Sequence, residues 1–91
     1  MGQERRIILF SGTVQGVGFR YTSVQVARGY DVTGYVRNCA DGRVECVAEG
    51  SAAELDSFFG DLGDAMRGYI RDQSEQKVRW TGEFRSFGVR S

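Results

Sequence analysis

Ile7-Ile8-Leu9-Phe10-Ser11-Gly12-Thr13-Val14-Gln15-Gly16-Val17-Gly18-Phe19-Arg20 carries the chain from an apolar run through a glycine-rich turn into residues with helical spacing. The run at 7–10 is β-branched, aliphatic and aromatic, and a turn follows it at once. It reads as a strand buried on much of both faces, which belongs near the middle of a sheet. Beyond the glycines, Phe19, Val26, Ala27 and Tyr30 recur at helical spacing, with polar Thr22, Gln25 and Arg28 between them, until Gly29 and Gly34 punctuate the chain. The segment is therefore a strand, a tight turn and an amphipathic helix.

Working outward, residues 35–39 and 43–49 flank Ala40-Asp41-Gly42, and in the second run Val44, Cys46 and Ala48 alternate with Arg43, Glu45 and Glu49. That pattern predicts a hairpin with one buried face. Ser51 followed by Glu54 is a capping box, after which Leu55, Phe58, Phe59 and Leu62 fall at i, i+3, i+4 and i+7 and define a second helix. Between Met66 and Trp80 the periodicity weakens. Tyr69-Ile70 and Val78-Arg79-Trp80 each suit a strand, and the polar residues 72–77 resist a register, so a fourth strand is placed here without fixed ends. Gly82 offers a turn, and the alternation from Phe84 onward predicts a short closing strand. The order is an α+β, ferredoxin-like β-α-β-β-α-β sandwich: an antiparallel sheet with two helices on one face and a short C-terminal strand.

Composition narrows the function classes. Ninety-one residues, 41% hydrophobic, fit one domain spanning 1–91 with one core. Twelve basic and twelve acidic side chains cancel, which removes the overall attraction expected of a general nucleic-acid binder but leaves local anion binding open. Cys39 and Cys46, with no histidine in the chain, are poor material for a metal site or a disulfide scaffold, and about the Asp41-Gly42 turn they do not face each other. Two free thiols, with only four consecutive apolar residues near the N-terminus, fit a cytoplasmic, soluble protein with no membrane partner.

The turn holds the chemistry. Glycines at 16 and 18 let successive backbone N–H groups converge, and the emerging helix N-terminus adds unpaired donors and partial positive charge. Arg20 adds a full charge on a planar fork that matches two oxygens of a phosphoryl group. The glycine spacing fails the dinucleotide fingerprint at Tyr21, and no Gly-Lys-Ser/Thr follows for a P-loop. On spacing alone, a tight turn with Arg20 solvated in the first helical turn is an equally good reading.

Residues 12–20 match the acylphosphatase signature Gly-x-Val-Gln-Gly-Val-x-Phe-Arg at every defined position, and Gly34-Tyr35-Val36-Arg37-Asn38 resembles that family's second segment, with Tyr35 where tryptophan is usual. The resemblance extends to residues 41–45, 48–50 and 87–90, and departs between Met66 and Lys77, where the family usually has Gly-Pro and a more apolar strand. It implies hydrolysis of an acyl phosphate to a carboxylate and inorganic phosphate. Gln15, Gly16, Val17, Gly18, Phe19 and Arg20 would bind the phosphoryl group, Arg20 and Asn38 would be catalytic, and Asn38 would hold the attacking water. The resemblance implies a small-molecule acyl phosphate and phosphate-like anions as ligands, with no metal or cofactor; nothing in the composition requires a partner for folding, so a monomer is the default expectation.

Other residues carry less. Asn38 on its own reads as a turn residue bonding local backbone. Arg37 points to the opposite strand face and reads as a solvated charge. Cys46 reads as a packing residue, and Tyr21, Tyr30, Tyr35 and Trp80 as buried aromatics rather than a base-stacking platform. A non-catalytic regulatory or protein-binding module on the same fold is the competing reading. A fragment of a carbamoyl-transfer maturation protein ranks below both, because it would normally continue into zinc-binding domains.

Overall fold

The computed structural model describes residues 2–91. The chain runs β1 (Gln3–Gly12), α1 (Phe19–Ala27), β2 (Thr33–Asn38), β3 (Val44–Ser51), α2 (Ala52–Ala65), β4 (Ile70–Arg79) and β5 (Phe87–Val89), and the sheet order is β4-β1-β3-β2-β5. Both helices pack on one face, against Ile8, Phe10, Val36, Val44, Cys46 and Ala48 from the strands, and they contribute Phe19, Ala27, Leu55, Phe58 and Leu62 to the same core. This is the ferredoxin-like arrangement predicted from the order of elements.

β1 is flanked by β4 and β3, as its apolar run predicts, but the burial is one-sided: Ile8 and Phe10 are buried, whereas Ile7 and Leu9 are half-buried. β1 to β4 form the antiparallel sheet expected from the sequence, and the short closing strand departs from it, because β5 pairs with β2 in parallel. β4 ends beside the start of β1, where Arg79 pairs with Glu4. The chain then crosses that end of the sheet and enters the far edge from the same side as β2, so the closing strand must run parallel to it.

The hairpin joins β2 and β3 with Val36 opposite Cys46. Cys39 lies outside the strand, where its N–H donates to the Arg43 carbonyl at 2.8 Å and closes the turn. β3 is buried on both faces rather than one, since Val47 and Glu49 on the side away from the helices are 2% and 1% exposed. The crossing segment at 80–86 covers that side. Thr81 and Gly82 bond to Glu49, and Phe84 packs edge-on against Tyr35 at 5.8 Å.

α1 ends at Ala27, earlier than a helix reaching Tyr30 would. Tyr30 packs on the core from the following turn and donates its hydroxyl to Asp61 on α2. At the start of α2, Ser51 Oγ accepts from the Glu54 N–H at 3.2 Å, but the Glu54 carboxylate accepts from the Asp31 N–H at 2.7 Å instead of turning back on its own helix. The sequence motif thus caps one helix and ties it to the loop before β2. β4 takes in both Ile70 and Val78-Arg79, and the polar stretch between them is edge strand whose register comes from its ladder with β1.

Candidate active site

Two chain segments meet at the end of the sheet opposite the crossing segment. One is the turn at 13–18, leaving β1 for α1; the other is the end of β2, carrying Asn38. Gly16 and Gly18 both hold left-handed backbone, at φ 78° and 79°, where a Cβ is strained. Gly18 is the N-cap of α1. No side chain caps that helix, and no acidic residue lies in its first turn, so its N-terminal donors and partial positive charge face the turn without a competing carboxylate.

Gln15 locks this turn to the hairpin. Its side-chain amide donates to two carbonyls, Cys39 at 2.8 Å and Arg43 at 2.9 Å. These are the two residues that close the β2-β3 turn immediately beyond Asn38. One amide therefore fixes the position of the glycine turn relative to Asn38, two segments more than twenty residues apart in sequence.

A cavity of about 470 Å³ opens between them, lined by Gly16, Gly18, Phe19, Arg20 and Asn38 among others. Arg20 is exposed and forms no ion pair among the described residues, leaving its guanidinium free for a ligand. Asn38 shares a face with Val36 and Val44 and is half-buried. Phe19 puts its ring into the core, 4.9 Å from Phe10, so only its backbone can serve an anion. Val17 packs against the core, and the Gln15 side chain is committed to the hairpin; neither lines the cavity.

The rest of the lining, Tyr21, Val24, Gln25, Arg28 and Val89, was not assigned to a site by sequence. The spacing Arg20-Val24-Arg28 is a signal that could have been read, because residues four apart share a helix face.

Neighbouring residues settle several expectations. Arg37 points away from Asn38 as alternation requires, but it is not simply solvated: its Nε lies 2.6 Å from Glu45 Oε1. Both cysteines are free. Burial, with the nearby Glu45 charge, pushes the Cys46 thiol far up, so it stays protonated and acts in packing. Tyr21 and Trp80 are 70% and 46% exposed, against the expectation that they are buried. Tyr21 stands in the first turn of α1 beside the cavity mouth, and Trp80 begins the crossing segment, outside the core.

The acylphosphatase family model matches residues 6–89. The chain is 45% identical over 80 residues to an acylphosphatase of Paenarthrobacter aurescens, covering 87% of this chain and 85% of that protein. It is 34% identical over 87 residues to an acylphosphatase of Clostridium acetobutylicum, covering 94% and 96%. The crystal structure of an acylphosphatase from Bacillus subtilis superposes with a TM-score of 0.84 at 33% identity, over 99% of this chain and all of that one. With both signature segments facing one cavity and the match running through nearly every element, the chain belongs to the acylphosphatase family.

Proposed function

We propose that residues 1–91 act as one domain that hydrolyses carboxyl-phosphate anhydrides, with the glycine turn and Arg20 binding the phosphoryl group and Asn38 positioning the water. The observation that carries this reading is the shared cavity: Arg20, Gly16 and Gly18 from one segment and Asn38 from the other line it together.

Phosphoryl transfer needs positioning and stabilisation of charge on the transferring oxygens more than it needs covalent chemistry. The Arg20 fork and the N–H groups at the start of α1 neutralise the equatorial oxygens as the bond to the acyl oxygen lengthens. The Asn38 amide oxygen accepts a proton of the attacking water and fixes its line of approach. An amide is no base near neutral pH, so the water proton passes to a phosphoryl oxygen of the substrate itself. Water oxygen bonds to phosphorus, the phosphorus–acyl oxygen bond breaks, and the carboxylate leaves with the electron pair. A carboxylate is a stable leaving group, so this chemistry proceeds without a histidine acid. The ligands are thus a small acyl phosphate and, as product, inorganic phosphate, handled by a monomeric cytoplasmic enzyme.

Attack at phosphorus has an isotopic signature. Hydrolysis of benzoyl phosphate in heavy-oxygen water should place the label in inorganic phosphate, read by the phosphorus NMR shift. Label in the benzoate instead would mean attack at the carbonyl carbon, and the assigned roles of Arg20 and Asn38 would not stand.

A further inference from the structure

Arg20, Val24 and Arg28 stack along one face of α1 and its C-terminal cap, and all three line the cavity. Eight helical residues rise about 12 Å, so the two arginines mark opposite ends of the cavity along the helix. The lining contains these two cations and no acidic side chain. Arg28 forms no ion pair among the described residues, and its guanidinium makes one long hydrogen bond, Nη1 donating to Gln25 Oε1 at 3.4 Å. Arg5, Arg6, Arg37, Arg43 and Arg67 sit against carboxylates, and of the arginines without an ion pair among the described residues only Arg20 and Arg28 line the cavity. Between Arg20 and Arg28 the lining is Tyr21, Val24 and Gln25 of α1 with Val89 of β5, so its aliphatic part is Val24 and Val89, the latter left 55% exposed, and its polar groups, Tyr21 and Gln25, are uncharged.

An aliphatic floor between two uncompensated cations matches a short carbon chain with an anion at each end. We propose that Arg28 is a specificity-determining residue that selects acyl phosphates whose acyl group carries a second negative charge, such as the monoacyl phosphate of a dicarboxylic acid. The phosphoryl end lies at Arg20, the carbon chain crosses Val24 and Val89, and the distal carboxylate meets Arg28. This rests on the phosphoryl-site reading above. Arg28 also stands at the C-terminus of α1, where a cation favours the helix dipole, but that structural role is indifferent to the substrate's acyl group.

Steady-state hydrolysis of succinyl phosphate and of benzoyl phosphate by the native chain, Arg28→Gln, Arg28→Lys and Arg28→Glu separates the two roles. For Arg28→Gln, kcat/KM on succinyl phosphate should fall about fivefold, the scale of an exposed ion pair, mainly through KM. Arg28→Glu should lose more, Arg28→Lys should keep most of the activity, and benzoyl phosphate should change by less than about twofold, within that same scale. Arg28 is exposed, and circular dichroism confirms that each variant is folded. Equal effects on both substrates, or none on either, overturn the subsite while leaving the phosphoryl site intact. A native chain that hydrolyses neither substrate overturns both readings.

Discussion

A single carboxylate, Glu49, gathers four donors at the end of the sheet away from the cavity: Arg5 Nε at 2.7 Å, the Thr81 N–H at 2.9 Å and hydroxyl at 2.8 Å, and the Gly82 N–H at 2.9 Å. Burial by itself would raise the Glu49 pKa, but the hydrogen bonds from Arg5, Thr81 and Gly82 outweigh it and hold the group below the ordinary carboxylate value. A depressed folded-state pKa means that the stabilisation is fully present above the ordinary carboxylate range and is lost as pH falls through the lowered value. Glu49→Gln should therefore cost about 2–3 kcal/mol at neutral pH, by leaving the Arg5 charge and backbone donors poorly matched. In urea titrations, the gap between native chain and variant should narrow as the pH is lowered toward 3; a gap that does not change with pH would contradict the network. Strand alternation gave no hint of this residue, because it assigns Glu49 to solvent, and only the crossing segment, some thirty residues later, covers it. Arg20 and Asn38 could be picked out as candidates for the opposite reason: each stands in a contiguous motif, and both line the cavity.

Elements were readable where burial leaves a period and unreadable where it does not. α2 shows its core face at Leu55, Phe58 and Leu62, and β3 shows alternation at Val44, Cys46 and Ala48, because both press on the same core. β4 has no such signature. It is an edge strand with residues 71–77 exposed, so its polar sequence carries no register, although its charges blunt an edge that would otherwise invite pairing. The parallel direction of β5 was equally hidden, since it depends on which end of the sheet the chain crosses. At the site, the relation between the glycine turn and the hairpin depends on the two hydrogen bonds of Gln15. Gln15→Ala should lower stability by roughly 1–2 kcal/mol, the scale of two neutral hydrogen bonds with partly exposed acceptors. It should also lower kcat by about tenfold or more, because displacing the turn spoils positioning. Thermal denaturation together with kinetics checks this, and a variant as destabilised as expected but with native kcat would remove Gln15 from any positioning role.

At the scale of the molecule, the two ends of the sheet have different work. One end is closed by Glu49 and the crossing segment; the other is left open, with glycine backbone, an uncapped helix N-terminus and an unpaired arginine around one cavity. Net charge is zero, so the attraction for an anion is local rather than a field of the whole protein. Among the described residues no helix is long and apolar enough to cross a membrane. The single-core sandwich was foreseeable because helix and strand patterns alternate in the required order; the anion site proposed at one end was suggested in the sequence only by Arg20 and its glycines. The most direct measurement is benzoyl phosphate hydrolysis, with chelator present, by the native chain, Arg20→Ala and Asn38→Ala, each checked for native fold. The native chain should be active, and each substitution should cut kcat/KM by roughly a hundredfold or more, the scale of losing a key transition-state contact. Folded variants that retain native activity would contradict the assignment of Arg20 and Asn38 to the catalytic site.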